Sequence, residues 1–198
     1  GIDVVRMAEF SWSKLEPAKE KFNFGWLDEA ISLLAGHGIK TILGTPSAAP
    51  PPWIIAEDPD IQPIDQKGRR RHMGGRHHDC QSNKAYRAHI ERYVSAFADH
   101  FGKNPDVIGW QVDNELGNSH QDLCMCPSCE KRFQEWLEDK YKDTDTLNEK
   151  CSTTLWHHVY SSFSQVQAPQ ITVTRYTPSA ILDWLRFSSD LVVDFLDF

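Results

Sequence analysis

Val107-Ile108-Gly109-Trp110-Gln111-Val112-Asp113-Asn114-Glu115 is an apolar run that turns abruptly polar over its last three positions. Short apolar runs rich in β-branched residues, without strict alternation, read as parallel strands buried on both faces. Working outward, Ile2 to Met7 and Ile39 to Leu43 have the same character, and helical patterns follow. Leu27, Ala30, Ile31 and Leu34 fall at i, i+3, i+4 and i+7, and Tyr86, Ile90, Tyr93, Val94, Phe97 and Phe101 form a second stripe. Phe133, Trp136, Leu137 and Tyr141 predict a third helix, and Ile181, Leu182, Leu185, Val192 and Phe195 a fourth.

Repeated alternation of strand and helix implies a parallel α/β sheet. The links from helix to strand are tight: Gly36-His37-Gly38 and Lys103-Asn104-Pro105-Asp106. Those from strand to helix are long, running from about Glu9 to Asn23, Thr45 to Asn83 and Asn114 to Pro127, and hold most of the Trp, His, Cys and Arg residues. In a (β/α)8 TIM barrel the loops after the strands build the site while the opposite loops close the scaffold. The asymmetry therefore predicts an α/β chain of the TIM-barrel type. A doubly wound sheet would carry a Gly-rich phosphate turn between strand and helix, whereas Gly74-Gly75 leads into no helix and reads as loop. Three strands do not close a barrel of eight. Residues 1–198 are thus expected to be part of one catalytic TIM-barrel domain, with the rest of the barrel and later domains outside them. Gln165 to Pro178 is the expected irregular connection.

Composition narrows the partners. Lys+Arg 21 against Asp+Glu 28 gives a net charge of -7, which repels phosphate backbones and anionic membrane surfaces. The basic cluster Lys67, Arg69, Arg70, Arg71 lacks interleaved aromatics and reads as a solvated loop, so no nucleic acid is expected. No apolar run approaches the roughly 20 residues that span a bilayer, and no leader pattern opens the chain, so no membrane partner is expected.

The five cysteines include Cys124-Met125-Cys126-Pro127-Ser128-Cys129. This clustering suits metal ligands in a reducing compartment better than a disulfide framework, and points to a cytoplasmic protein. Three thiols within six residues can wrap one tetrahedral ion, and Cys80, in the loop after the preceding strand, supplies a fourth. Four thiolates leave zinc no open position, so the expected Zn2+ is structural. Buried or oxidised thiols are the alternative. His77, His78 and His120 are spare candidates, and Cys151 is read as a bystander.

At the strand end, Glu115 is the candidate general acid/base. A carboxyl at the mouth of an apolar barrel is raised in pKa by desolvation, as a proton donor to a leaving oxygen requires. Asn114 beside it suits a sugar hydroxyl. The alternative is a polar strand end that caps the next helix. Seven tryptophans suit a carbohydrate cleft: Trp12 and Trp53 are the platform candidates, with anchoring of the loop after Pro50-Pro51-Pro52 the alternative for Trp53, while Trp110 reads as core.

Val5-Arg6-Met7-Ala8-Glu9-Phe10-Ser11-Trp12-Ser13 with Leu15-Glu16-Pro17, Phe24-Gly25-Trp26-Leu27-Asp28 and Leu43 through Trp53 carry a resemblance. So do Gly75-Arg76-His77-His78-Asp79-Cys80, Gly109 through Gly117, Trp136-Leu137 with Tyr141, Leu147-Asn148 and Leu155-Trp156. Together they resemble glycoside hydrolase family 42, the β-galactosidases, over nearly the whole chain. The resemblance implies a retaining β-galactosidase acting on terminal non-reducing β-D-galactose, with Glu115 as acid/base, Asn114 binding the 2-hydroxyl and Arg76 lining the galactose subsite. It makes the strands about the second to fourth of the barrel, puts the nucleophile after the seventh strand, beyond Phe198, and implies a homo-oligomer, a trimer. Leu116 and Ser47 stand where the family often has an aromatic residue and a threonine. A β-mannanase- or cellulase-type barrel glycosidase and a catalytically inactive sugar-binding homologue remain alternatives.

Overall fold

The computed structural model describes residues 1–117 and 124–198. They form two compact units: Gly1–Gln62, His72–Asp79 and Lys84–Leu116 in the first; Pro63–Arg71, Cys80–Asn83 and Gly117–Phe198 in the second.

In the first unit the three expected strands are present as β1 (Val4–Met7), β2 (Lys40–Gly44) and β3 (Val107–Gln111). They pair in parallel in the order β1-β2-β3, Met7 opposite Leu43 and Gly44 opposite Gln111, with a register irregularity at Thr41/Ile42. Gly44 has a local reason to be glycine. A Cβ there would lie 2.7 Å from Cβ of Glu9, the residue that leaves β1.

Helices α1 (Trp12–Leu15), α2 (Gly25–Gly36), α3 (Pro52–Glu57) and α4 (Lys84–Phe101) belong to this unit. The α4 stripe is buried as its spacing predicts, through Tyr86, Ile90, Tyr93, Phe97 and Phe101. Each such side chain contributes about 1.5–3 kcal/mol by burial. Its rings continue into α1, with Trp12 and Tyr93 centroids 4.8 Å apart. Trp12 is therefore core and offers no face to a sugar: it is 0% exposed, and its indole N–H donates to Glu16 at 2.8 Å. Glu16 is itself fully buried, compensated by the Arg92 guanidinium and the Glu20 N–H. Conversely Trp110 is more open than expected, at 39% exposed, with its ring edge on Phe97.

The second unit contains α5 (Pro127–Tyr141), α6 (Thr144–Cys151) and α7 (Pro178–Asp197). The Tyr141 pattern stops where Lys142 takes a φ of 70°, and Asp143 caps α6 by accepting the Thr146 N–H at 2.7 Å. In α7 the buried face is Trp184, Phe187 and Phe195, while Ile181, Leu182 and Leu185 are exposed. Apolar residues lie around this helix, so its period marks the helix without selecting the buried side. Contact with Phe133, 4.8 Å from Trp184 and 5.4 Å from Phe187, selects the face. The stretch after α6 is largely irregular up to Pro178, and among the described residues no helix is long and apolar enough to cross a membrane.

The basic cluster sits in a tight loop organised by Asp65, which accepts the backbone N–H groups of Lys67 and Arg69 and the Arg69 guanidinium. The Arg69 N–H and side chain lead in holding this carboxyl down, to about 2. A folded-state pKa below the unfolded one gives stabilisation above the unfolded value that disappears as pH falls through the folded one. Asp65→Asn should therefore speed deuterium uptake by peptides spanning residues 63–71 at neutral pH. Wild type should approach the variant, after correction for intrinsic exchange, as pH falls from about 4 towards 2. Equal protection in both proteins at neutral pH would remove this role.

Candidate active site and metal centre

The polar end of β3 is built against the loop that follows β2. Asp113 (φ 55°) and Glu115 (φ 54°) both lie in the left-handed region, which non-glycine residues occupy at a cost of about 1–3 kcal/mol each. Hydrogen bonds between the two segments hold them there. The Thr45 N–H donates to the Gln111 carbonyl at 2.9 Å, and the Asp113 N–H donates to Thr45 Oγ1 at 2.7 Å. The Ser47 hydroxyl donates to Asp113 Oδ2 at 2.6 Å, and the Asn114 N–H to its Oδ1. Tyr86 secures the loop by donating to the Ser47 carbonyl. Asp113 is buried, and burial pushes its carboxyl up, opposed by the Ser47 and Asn114 donors and the neighbouring His77.

This scaffold presents Asn114 and Glu115 side by side. Asn114 is buried, yet among the described residues its Nδ2 has no partner, which leaves one strong donor for a hydroxyl. Glu115 Oε2 lies 2.6 Å from Arg76 Nη2, their side chains being 46% and 38% exposed. A pair this open contributes at most about 1 kcal/mol to stability. The expected desolvation of Glu115 at an apolar mouth is not met within this unit: the carboxyl stands half open and paired to a cation. The structure thus brings together the three organic-site residues read from the sequence.

Other expectations change. Trp53 is a strut: its indole N–H donates to the Glu16 carbonyl at 3.0 Å, and its ring meets His89 edge-on. His77 and His78 belong with this loop, not with the thiols. His77 (φ 56°) has both ring nitrogens buried and, among the described residues, without partners, while His78 faces the Pro50 and Gly75 carbonyls. Burial lowers the His78 pKa, opposed by these two carbonyls, which favour the protonated ring. His120 lies outside the described residues. Sequence reasoning assigned nothing to Thr45, Ser47, Asp113 or Gln111. Their only signal is a cluster of small polar residues at two neighbouring strand ends.

The second unit holds the cysteines. Cys126 stands at the N-terminal boundary of α5, Pro127 starts it, and Cys129 sits in its first turn. The Met125 N–H bonded to the Ile64 carbonyl at 2.7 Å sets the approach of the chain. Sγ atoms of Cys80, Cys124, Cys126 and Cys129 all lie within 4.8 Å of one another. Cys80 Sγ is 3.3 Å from Cys126 and 3.4 Å from Cys129, far beyond an S–S bond of about 2.05 Å. Zinc bonded to four sulfurs at about 2.3 Å would space them about 3.8 Å apart, so the donor set and spacing fit that ion. Donors from Cys124, Cys129 and Cys80 pull the Cys126 thiol down, while hydrogen bonding, first of all with Cys124, pushes Cys80 up. Cys151 lies apart in α6, buried, 3.5 Å from the Tyr141 hydroxyl.

The fold and sequence match known proteins along the chain. Residues 1–198 match the family described as Beta-galactosidase, glycoside hydrolase family 42. A β-galactosidase of Thermus thermophilus is 44% identical over 192 residues, 97% of this chain and 30% of that protein. The structure of the β-galactosidase from the Antarctic haloarchaeon Halorubrum lacusprofundi superposes with a TM-score of 0.95 at 42% identity, covering 98% of this chain and 29% of that one. That from the psychrophilic Marinomonas ef1 gives 0.95 at 38% identity, covering 98% and 30%. The chain thus spans about 30% of the length of the curated relatives it matches, and its three-stranded parallel sheet is part of their TIM barrel. On the match over its full length, this chain belongs to glycoside hydrolase family 42, the β-galactosidase family.

Proposed function

We propose that the whole protein is a retaining β-galactosidase that removes terminal non-reducing β-D-galactose from β-galactosides such as lactose or galacto-oligosaccharides. The observation that carries this reading is the grouping at the end of β3, in a chain of this family, of Asn114 with a free buried amide and Glu115 paired with Arg76 at 2.6 Å. Glu115, as the acid, gives its proton to the glycosidic oxygen as the aglycone departs, then takes one from the water that attacks the glycosyl-enzyme. Asn114 Nδ2 donates to the 2-hydroxyl, a bond that strengthens in the oxocarbenium-like transition state. Arg76 lines the galactose subsite and orients the Glu115 carboxyl. The nucleophilic carboxylate of such a mechanism stands ~5–5.5 Å from the acid/base; family resemblance puts it after the seventh strand.

Cys80, Cys124, Cys126 and Cys129 are proposed to hold one structural zinc, which would tie residues 80–83 to the start of α5. The whole protein is further proposed to be a cytoplasmic homo-oligomer, a trimer by family resemblance. Assaying it on an aryl β-galactoside, on lactose and on long β-glucans and β-mannans tests the activity. Release of galactose from the first two, with the polymers uncut, is the expected result. Cutting of internal polymer bonds would favour the mannanase or cellulase reading, and no turnover at all the sugar-binding one.

A further inference from the structure

Gln111, the last residue of β3, is half-buried and projects from a strand held in register with β2. Its Nε2 lies 2.9 Å from the main-chain oxygen of Asp113 and 3.1 Å from Oδ1 of Asn114. These contacts settle the orientation of two amides by elimination. A main-chain carbonyl only accepts, so the Gln111 group facing it must be the NH2. The Asn114 atom facing that NH2 must then be the oxygen. The Asn114 NH2 is left pointing away from this fork, buried and without a partner among the described residues.

From this fork we infer that Gln111 is a positioning residue that locks the side-chain amide of Asn114 with its donor towards the sugar. The inference rests on the reading of Asn114 as the contact to the 2-hydroxyl. An unlocked amide can turn over at little cost, because its two ends are nearly the same shape. It would then present an acceptor, and the 2-hydroxyl would have to donate its own proton there instead of accepting one from the amide. The anchor is rigid because one of its two acceptors is backbone, held in the left-handed Asp113 turn by Thr45 and Ser47. The benefit is specific to one substrate group. A galactoside lacking the 2-hydroxyl has nothing for the locked donor to meet.

The test compares kcat/KM of the whole protein on an aryl β-galactoside and on its 2-deoxy analogue, for wild type, Gln111→Leu and Gln111→Glu. The leucine removes the fork, and the near-isosteric carboxylate reverses its polarity, repels Asn114 Oδ1 and provides a reading if the leucine variant folds poorly. In both variants the preference for the 2-hydroxyl should shrink about tenfold, with the 2-deoxy substrate little affected. A role confined to folding would lower both substrates alike. An unchanged ratio in variants that retain the wild-type melting temperature therefore overturns the inference. If wild type itself shows no preference for the 2-hydroxyl, the assignment of Asn114 fails and the inference falls with it.

Discussion

Glu115→Ala in the whole protein should lower turnover of lactose, which has a poor leaving group, by about 10²–10⁴-fold, the range that positioned proton transfer contributes. The variant should behave differently on an activated aryl galactoside. That aglycone leaves without protonation, so the glycosyl-enzyme still forms and then stalls because no base activates water. Azide needs no base. Adding it should restore turnover of the aryl substrate and yield a galactosyl azide of β configuration, since two inversions have occurred. An azide product of α configuration would make Glu115 the nucleophile, and near wild-type turnover of lactose would reduce it to a polar strand end. The Arg76 contact at 2.6 Å gives an internal control. Arg76→Ala leaves the acid/base in place, so its lesion should not be rescued by azide.

Cys126→Ser should have the second large effect, on stability in place of chemistry. Freshly purified, reduced protein is expected to carry one zinc per chain, and the variant much less than one by elemental analysis. Binding free energy at such a site is folding free energy. Removing one thiolate also leaves three others crowded within 4.8 Å without an ion to compensate them. A loss of about 3 kcal/mol would lower the melting temperature by several degrees, the shift per kcal/mol shrinking as the folding domain grows. Chelation of the wild-type protein should reproduce the shift. The azide-rescue behaviour of Glu115→Ala should be unaffected while the protein stays folded. Absence of zinc from reduced wild-type protein, or an intact disulfide between Cys124 and Cys129, would remove the metal assignment.

Much of this could be read from spacing. Strand ends were legible because a parallel strand is an apolar run with polar residues where it leaves the sheet, as at Asp113-Asn114-Glu115. The α4 stripe was legible because a helix buries residues at its own period: of the six positions from Tyr86 to Phe101 that the spacing placed inward, five are buried and Val94 is partly so. The cysteine group was legible because thiols at two- and three-residue intervals reach one point. Elsewhere spacing failed in a consistent way. Trp12 was misread as a platform, and Trp53 takes the loop-anchoring alternative, because a tryptophan in a loop looks the same in sequence whether its N–H meets water or, as here, Glu16. The α7 helix was legible but its buried face was not, because the helix is apolar on more than one side.

The sequence by itself determined which segments become strand and helix, which residue types gather after the strands, and which four sulfurs can share an ion. These depend on neighbours a few residues away along one chain direction. Only the tertiary structure decided that Asp113 and Glu115 take left-handed backbone, that Ser47 and Thr45 hold the turn, that Arg76 reaches Glu115, and that Gln111 orients Asn114. The Ser47, Thr45 and Arg76 contacts join positions 39 to 68 residues apart, and even the local Gln111–Asn114 pair depends on a turn that those contacts maintain. A hydrogen bond is made or lost within a few tenths of an ångström, a tolerance set by packing and carried by no local pattern of residues.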